Sequence, residues 1–306
     1  MTTTSPLDRL ADGALDWLEG NLDHFDPYSS SAPSATHTKA KAALELALLC
    51  HCATRLDSVP DSLTGAADLI RALWRRPDFP DLFDVHPGHA SSYWLIYTAL
   101  APDGVDGTPM RLSPGFLSPH GKSAYQRIEI RYYADKAGVR HGIEPYADLV
   151  ALSPLVAHAA PEPEAAHPEH TEPLAAPQAY ALTHTAFYLG DFGRADPGLT
   201  DDVTANALGL VRRMLDHCVA HDRWDLAAEL LLTEFILGAH PLRTPSGAAA
   251  VECLVRAQSP DGSIPGRSAA LRATGSDTAG EFFSKAYHTT LVTALMALIV
   301  SSGRTS

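Results

Sequence analysis

The sequence predicts an all-α fold, because apolar residues recur at helical spacing and no stretch shows the convincing alternation of a β-strand. Short turns separate consecutive helical patterns, which makes neighbouring helices antiparallel. Several patterns are amphipathic, whereas one early pattern and the last one are apolar nearly all round. This division predicts inner helices wrapped by outer ones, in a single (α/α) toroid domain of roughly ten to twelve helices over residues 1–306.

The first half contains helical patterns that stop at recognisable signals. The first pattern ends at Asp26-Pro27, because the residue before a proline avoids helical backbone. Glu45 lies inside the apolar second pattern and needs a partner, for which Lys41 and Arg55 are candidates. The predicted helices of this half cover about 7–25, 37–56, 61–74, 89–100, 123–136 and 145–158, with a glycine- and proline-rich loop over 101–122.

The second half begins after a proline- and glutamate-rich stretch, 159–177, which predicts a surface loop with His167 and His170 exposed. Thr200 is placed to cap the next helix, and Asp222 to cap the one after it. Further predicted helices follow the cap at Thr200 and cover about 223–237, 244–258 and 279–300.

Composition excludes several classes of function. The formal net charge is −13, so the chain lacks the basic surface that binds nucleic acid or an anionic membrane. No run approaches the roughly 18 apolar residues of a membrane span, and the start lacks the pattern of a signal peptide. A cytoplasmic location is therefore expected. The four cysteines, Cys50, Cys52, Cys218 and Cys253, are predicted to be reduced and buried.

The stretch from Ala181 to Gly193 carries polar side chains where a core helix would carry leucine. His184, Tyr188 and Asp191 are spaced at i, i+4 and i+7, so a continuous helix would place them on one face. Asp191 falls in the predicted last turn, where the helix dipole disfavours a carboxylate. Either a functional pocket or local hydrogen bonding at the helix end would explain it.

A second histidine, His288, occupies a comparable position in the last apolar helix, beside Tyr287. Two imidazoles that face one cavity would form an acid–base pair near neutral pH, and Tyr188 or Asp191 could orient a ring or donate a proton. We therefore predict His184, His288, Asp191 and Tyr188 as catalytic residues. The alternative is that both histidines are core residues with internal hydrogen bonds.

Three further residues are predicted to bind substrate: Arg131, Glu229 and Tyr287. For Arg131 the alternative is a solvated helix face, and for Glu229 a structural ion pair with an arginine. We predict neither a metal nor a cofactor. A divalent cation held by His184, His288 and Glu229 is the alternative, although no local ligand spacing supports it. Serine-hydrolase, phosphate-loop and dinucleotide-binding motifs are absent from the sequence.

Two short motifs carry a resemblance to known families. Gln258-Ser-Pro-Asp-Gly-Ser-Ile264 resembles the Q-x-x-D-G-S-W turn of the α/α-toroids of squalene and terpene cyclases and of prenyltransferase β-subunits, with isoleucine in place of tryptophan. Tyr287-His-Thr-Thr290 is similar to helix starts in such barrels. Together with Ala179–Gly193, it also resembles an actinobacterial family of unassigned function. The resemblance implies a fold and does not by itself imply a reaction.

The chemical motifs of the related enzymes do not occur here. The sequence has no D-x-D-D acid, no D-D-x-x-D metal site, and neither the W-C-x-G nor the C-H-G zinc motif of lanthionine cyclases. We therefore predict a zinc-independent cyclase of specialised metabolism. Its substrate would be a modified peptide, closed by a thioether, or an apolar small molecule. The alternative is a non-catalytic accessory protein that binds a peptide or a partner protein.

Overall fold

The computed structural model describes residues 5–29, 33–85, 87–105, 110–158, 172–266 and 278–303, with the backbone alone for 33–37. Within these ranges the chain forms thirteen α-helices and no β-strand, which confirms the predicted all-α class. The helices are α1 (Pro6–Gly20), α2 (Leu22–Phe25), α3 (Pro33–Ala53), α4 (Thr64–Trp74), α5 (Pro87–Ala99), α6 (Ala124–Lys136), α7 (Tyr146–Val150), α8 (Pro154–Ala157), α9 (Ala176–Leu189), α10 (Asp201–Ala220), α11 (Trp224–Ile236), α12 (Pro245–Ala257) and α13 (Ala279–Ser302).

The helix boundaries differ from the predicted ones at a few places. The first predicted helix is divided at Asn21 into α1 and α2, and the 145–158 pattern is divided into α7 and α8. Asp222 does not cap α11, because its backbone is left-handed (φ 51°) and Arg223 takes the cap position. Thr200 caps α10 as predicted. His167 and His170, in the predicted loop 159–177, lie outside the described residues.

Six helices contact one another in a closed series, in the order α3, α13, α11, α9, α6, α5 and back to α3. The remaining long helices pack outside this series: α1 against α13 and α12, α4 against α3, and α10 against α11 and α12. We call the six helices of the closed series the inner helices. Nearly every residue of α11 is buried, as expected for a helix covered on all sides.

Helix α13 is the one helix in the described ranges that is long and apolar enough to cross a membrane. Its most apolar stretch is 78% buried inside the protein, where it packs against α1, α3 and α11. That burial accounts for its apolar composition, because a helix surrounded by others needs no polar face. The four cysteines are free and buried, as predicted.

The turn that follows α12 joins three helices. The Gln258 side chain donates to the carbonyl oxygen of Leu10 in α1, at 3.1 Å, and to that of Gly262 at 3.2 Å. The backbone N–H of Ile264 donates to the hydroxyl of Thr290 in α13 at 2.9 Å. The two motifs that suggested an α/α-toroid are therefore in direct contact, and the turn fixes α13 relative to α1.

Asp191 ties the end of α9 to two other inner helices. Alpha-helix α9 ends at Leu189, and Asp191 begins a short 3₁₀ turn with a left-handed backbone (φ 41°). Its carboxylate accepts two hydrogen bonds from Arg55, just after α3, and lies 3.1 Å from the ammonium of Lys136 and 2.9 Å from the hydroxyl of Tyr132 in α6. The helix therefore ends before Asp191, and the Asp191 side chain does not lie on the helix face that carries His184 and Tyr188.

Substitution of Gly262 tests whether the turn after α12 packs against α1. A Cβ atom at Gly262 (φ 90°) would lie 1.9 Å from the carbonyl oxygen of Gly13 in α1. At Gly198 (φ 75°) no atom lies within 4 Å of an added Cβ, so alanine there meets only backbone strain. Gly198→Ala should cost about 1 kcal/mol and Gly262→Ala at least about 3 kcal/mol in the free energy of unfolding, measured by urea denaturation. Equal losses would show that the turn does not pack against α1.

A second test concerns the Asp191 ion pairs. Burial opposes the charge, but the Arg55 guanidinium and the Lys136 ammonium hold the pKa of Asp191 at about 2, below its usual 3.8. Its stabilising effect is thus complete above pH 3.8 and is lost as the pH falls towards 2. Asp191→Asn, which tolerates the left-handed backbone, should cost about 2 kcal/mol at pH 7.

The difference in unfolding free energy between the wild type and Asp191→Asn should shrink between pH 4 and pH 2 in denaturant titrations. Asp196→Asn is the matched control, because the Asp196 carboxylate accepts only a backbone N–H, from Gly198, among the hydrogen bonds found in the described part of the chain. This control should change stability by less than about 0.5 kcal/mol at either pH. A difference for Asp191→Asn that does not depend on pH would contradict the ion-pair account.

Candidate functional site

The two predicted histidines converge on one carboxylate. His184 in α9 and His288 in α13 direct their Nε2 atoms at Glu229 of α11, at 3.5 Å from Oε2 and 3.9 Å from Oε1 respectively. The hydroxyl of Thr183 donates to Glu229 Oε2 at 2.5 Å. Three neighbouring inner helices, α9, α11 and α13, therefore contribute to a single cluster.

The histidines line open space, whereas the carboxylate lies behind them. The His184 and His288 side chains are 33% and 40% exposed, and the Glu229 side chain is 2% exposed. Glu229 lies in the middle of α11, a mostly apolar helix in which nearly every residue is buried. A buried carboxylate is costly unless it is paired and hydrogen-bonded, and the two imidazoles and Thr183 meet that requirement.

The two imidazoles have different partners on Nδ1. The hydroxyl of Tyr125 in α6 lies 3.2 Å from His184 Nδ1, and Glu45 Oε2 in α3 lies 3.2 Å from His288 Nδ1. Glu45 also pairs with Lys41 at 2.8 Å, one of the two partners predicted for it. A carboxylate on Nδ1 fixes the tautomer of a histidine and leaves Nε2 free to accept a proton. The two rings therefore differ in the group that fixes their tautomer: a tyrosine hydroxyl for His184 and a carboxylate for His288.

The carboxylates set the charge state of the pair. For His184, burial disfavours the imidazolium, but the nearby Glu229 outweighs it and raises the pKa. For His288, burial also disfavours the imidazolium. Glu45, followed by Glu229, outweighs this effect and raises the pKa of His288. Burial opposes the charge on Glu45 as well, yet His288 and Lys41 lower its pKa to about 2. Both carboxylates therefore favour the imidazolium form of the histidines over the neutral form.

Tyr188 extends the cluster towards α6. Its hydroxyl donates to Glu129 Oε1 at 3.1 Å, and its ring lies edge-on to that of His184, with 6.2 Å between the centroids. Burial raises the pKa of Glu129, an effect that His184 and the Tyr188 hydrogen bond reduce. Glu129 is consequently a candidate proton donor close to His184.

The other predicted site residues are placed differently. Arg131 donates to the carbonyl oxygens of Ile143 and Glu144, both at 3.0 Å, and so fastens α6 to the segment before α7. Tyr287 stacks on Phe283, and burial followed by the charge of Glu45 raises its pKa to about 12. It therefore borders the His288 side of the cluster.

Sequence reasoning did not assign four members of the cluster to the site: Tyr125, Glu129, and the pair of Glu45 and Lys41, which it had expected only to bond to each other. The available signal was a charged residue inside an apolar helix, which identifies a side chain in need of a partner without identifying the partner. Glu45 and Glu229 both gave that signal. The residues that meet in the cluster are separated by as many as 243 positions along the chain.

The arrangement suits proton transfer. Two imidazoles of raised pKa share a buried carboxylate, and each has a separate hydrogen-bonding partner on its other nitrogen. Among the described residues, no group of three or more His, Cys, Asp or Glu side chains is arranged to hold a metal ion. The chemistry that the described side chains can themselves perform is general acid and base catalysis.

Comparison with known proteins identifies a family. No match was found among curated proteins or among solved structures. One family model, described as a domain of unknown function (DUF6895), matches residues 11–298. The match includes α3, α6, α9, α11 and most of α13, the helices that carry the cluster. The chain belongs to this family.

Proposed function

We propose that this protein is an acid–base enzyme of specialised metabolism that closes a ring in its substrate without zinc. The observation that carries the proposal is the convergence of two partly exposed imidazoles on the buried Glu229. A histidine that only fills the core would be enclosed, whereas these two rings are reachable from open space. We also propose that the chain forms a single (α/α) toroid domain, which the closed series of inner helices supports. A cytoplasmic location is a further proposal.

The proposed substrate is a modified peptide with a cysteine thiol and a dehydro residue. His288 takes the thiol proton at Nε2, and the thiolate sulfur adds to the β-carbon while the electrons of the double bond form an enolate. His184 then gives a proton to the α-carbon, so the product is an isomer of the substrate. Glu229, which lies between the two Nε2 atoms, carries the proton back from His288 to His184. An apolar small molecule that cyclises by proton transfer would use the same groups.

The roles follow from the different partners of the rings. Glu45 holds Nδ1 of His288, which leaves its Nε2 as the base. His184 lies closer to Glu229, which favours its protonated form and suits the acid. Tyr125 orients the His184 ring, and Tyr188 holds Glu129 beside it. Asp191 secures the end of α9, so we assign it a positioning role.

The shared carboxylate gives a test that needs no substrate. Glu229→Gln removes the negative charge near both imidazoles, so the pKa of His184 and that of His288 should both fall. Glu45→Gln should lower the pKa of His288 and leave that of His184 nearly unchanged, because Glu45 contacts only the former ring. NMR titration of the histidine ring protons, assigned with single His→Asn variants, measures both values.

Glu252→Gln is the matched control, since this exposed glutamate pairs only loosely with Arg256 at 3.9 Å. Both histidine pKa values should stay at their wild-type level in that variant. Because the folded-state values are raised, the imidazoles stabilise the fold below their ordinary pKa of 6.5, and this contribution is lost as the pH rises through the raised values. Unchanged titration of both rings in Glu229→Gln would disprove the shared site.

Catalysis is tested with linear peptides that carry one cysteine and one dehydroalanine at varied spacing. Ring closure leaves the mass unchanged and removes the thiol, which alkylation and mass spectrometry detect. His184→Asn and His288→Asn should each slow closure by about 10²- to 10⁴-fold, with a bell-shaped pH dependence of the wild-type rate. His120→Asn, on an exposed loop, should keep the wild-type rate. Closure no faster than in buffer for every peptide would refute the proposed thiol addition.

A further inference from the structure

A cavity of about 480 Å³ lies at the end of α9, between α6, α7 and the segment from Ala195 to Gly198. Its wall is mostly apolar and includes Leu189, Val150 and Pro197, together with the rings of Tyr132, Tyr146 and Tyr188. A concave, mainly apolar space of this size with a few polar groups is the usual form of a small-molecule site. Tyr188 separates it from the histidine cluster, because its ring lines the cavity and its hydroxyl bonds to Glu129.

Lys136 is the cation in the cavity wall, and the carboxylate nearest to it, Asp191, is already bonded. Both oxygens of the Asp191 carboxylate are occupied by Arg55, and Tyr132 and Lys136 also bond to it. Lys136 has three N–H donors, of which one is directed at Asp191, while the ammonium also lies 4.7 Å from the centroid of the Tyr132 ring. The Lys136 side chain is only 19% exposed, so a free donor there is held within the cavity wall.

Two further carboxylates in the wall, those of Asp135 and Asp196, have other partners. Asp135 lies 3.3 Å from Arg131 and 2.9 Å from His141, and Asp196 accepts the N–H of Gly198 at 2.8 Å. Arg55 balances the charge of Asp191 and Arg131 balances that of Asp135, so the positive charge of Lys136 is left to favour an anion beside it. Asp196 in the same wall would repel a second negative charge.

We propose that this cavity binds a monocarboxylate with an apolar or aromatic body. The carboxylate accepts hydrogen bonds from the Lys136 ammonium and the Tyr146 hydroxyl, and the body packs on Val150, Leu189 and Pro197. Charge-assisted hydrogen bonds of this kind are the stronger class, and the low exposure of Lys136 reduces competition from water. This site is separate from the proposed catalytic cluster, and the inference does not depend on the reaction proposed there.

The test compares three probes that share one body: 3-phenylpropanoate, 3-phenylpropan-1-ol and 3-phenylpropylamine. Isothermal titration of the full-length protein should show the carboxylate binding at least about 10-fold more tightly than the alcohol, and the amine most weakly. Lys136→Gln should bring the carboxylate and the alcohol to nearly equal affinity. Tyr146→Phe, which leaves the Asp191 ion pairs intact, should weaken only the carboxylate, by a few-fold, and keeps the test informative if Lys136→Gln misfolds.

Two variants locate the bound probe. Ala147→Trp places a large ring in the cavity from an exposed position and should abolish carboxylate binding, whereas His288→Asn should leave it unchanged. Binding that is lost in His288→Asn and kept in Ala147→Trp would place the ligand in the histidine cluster and overturn the proposal. Preferential binding of the amine, or no binding of any probe, would overturn it as well.

Discussion

The buried carboxylate of Glu229 is the constraint on which the histidine cluster depends. A charge in the middle of an apolar helix is strongly destabilising unless partners surround it, and here they come from the helices on either side, α9 and α13. The same charge raises the pKa of His184, and it adds to the effect of Glu45 in raising the pKa of His288. Stability and proton-transfer capacity therefore arise from one contact, and a change at Glu229 alters both.

The positions of the two histidines are set by contacts outside the cluster. His288 depends on the register of α13, which Thr290 fixes by its bonds to Ile264 in the turn after α12. His184 depends on α9, whose end is held by the Asp191 ion pairs with Arg55 and Lys136. The polar residues in these apolar helices are thus of two kinds. The histidines face open space, whereas Asp191 and Thr290 hold in place the helices that carry the histidines.

Tyr188 borders both the histidine cluster and the cavity at the end of α9. Its hydroxyl contacts Glu129 next to His184, and its ring forms part of the wall of the cavity above Asp191. A ligand in that cavity would lie one aromatic ring away from the histidine cluster. Burial raises the pKa of Tyr188 well above its usual value, so the hydroxyl stays protonated and its hydrogen bond to Glu129 persists through the physiological pH range.

The sequence alone determined the all-α class and most helix boundaries, because helical periodicity is a local signal. It also singled out His184 and His288 as polar residues within apolar helices, and their catalytic role stays a prediction. It also showed that Glu45 needs a partner and offered Lys41, which lies one helical turn away. Only the tertiary structure showed that His288 is the second partner of Glu45, that Tyr125 and Glu129 approach His184, and that Asp191 turns away to Arg55. The physical reason is that these contacts join helices that are distant in the chain. At Asp191 the backbone is left-handed, so helical periodicity ends there and does not predict where the Asp191 side chain points.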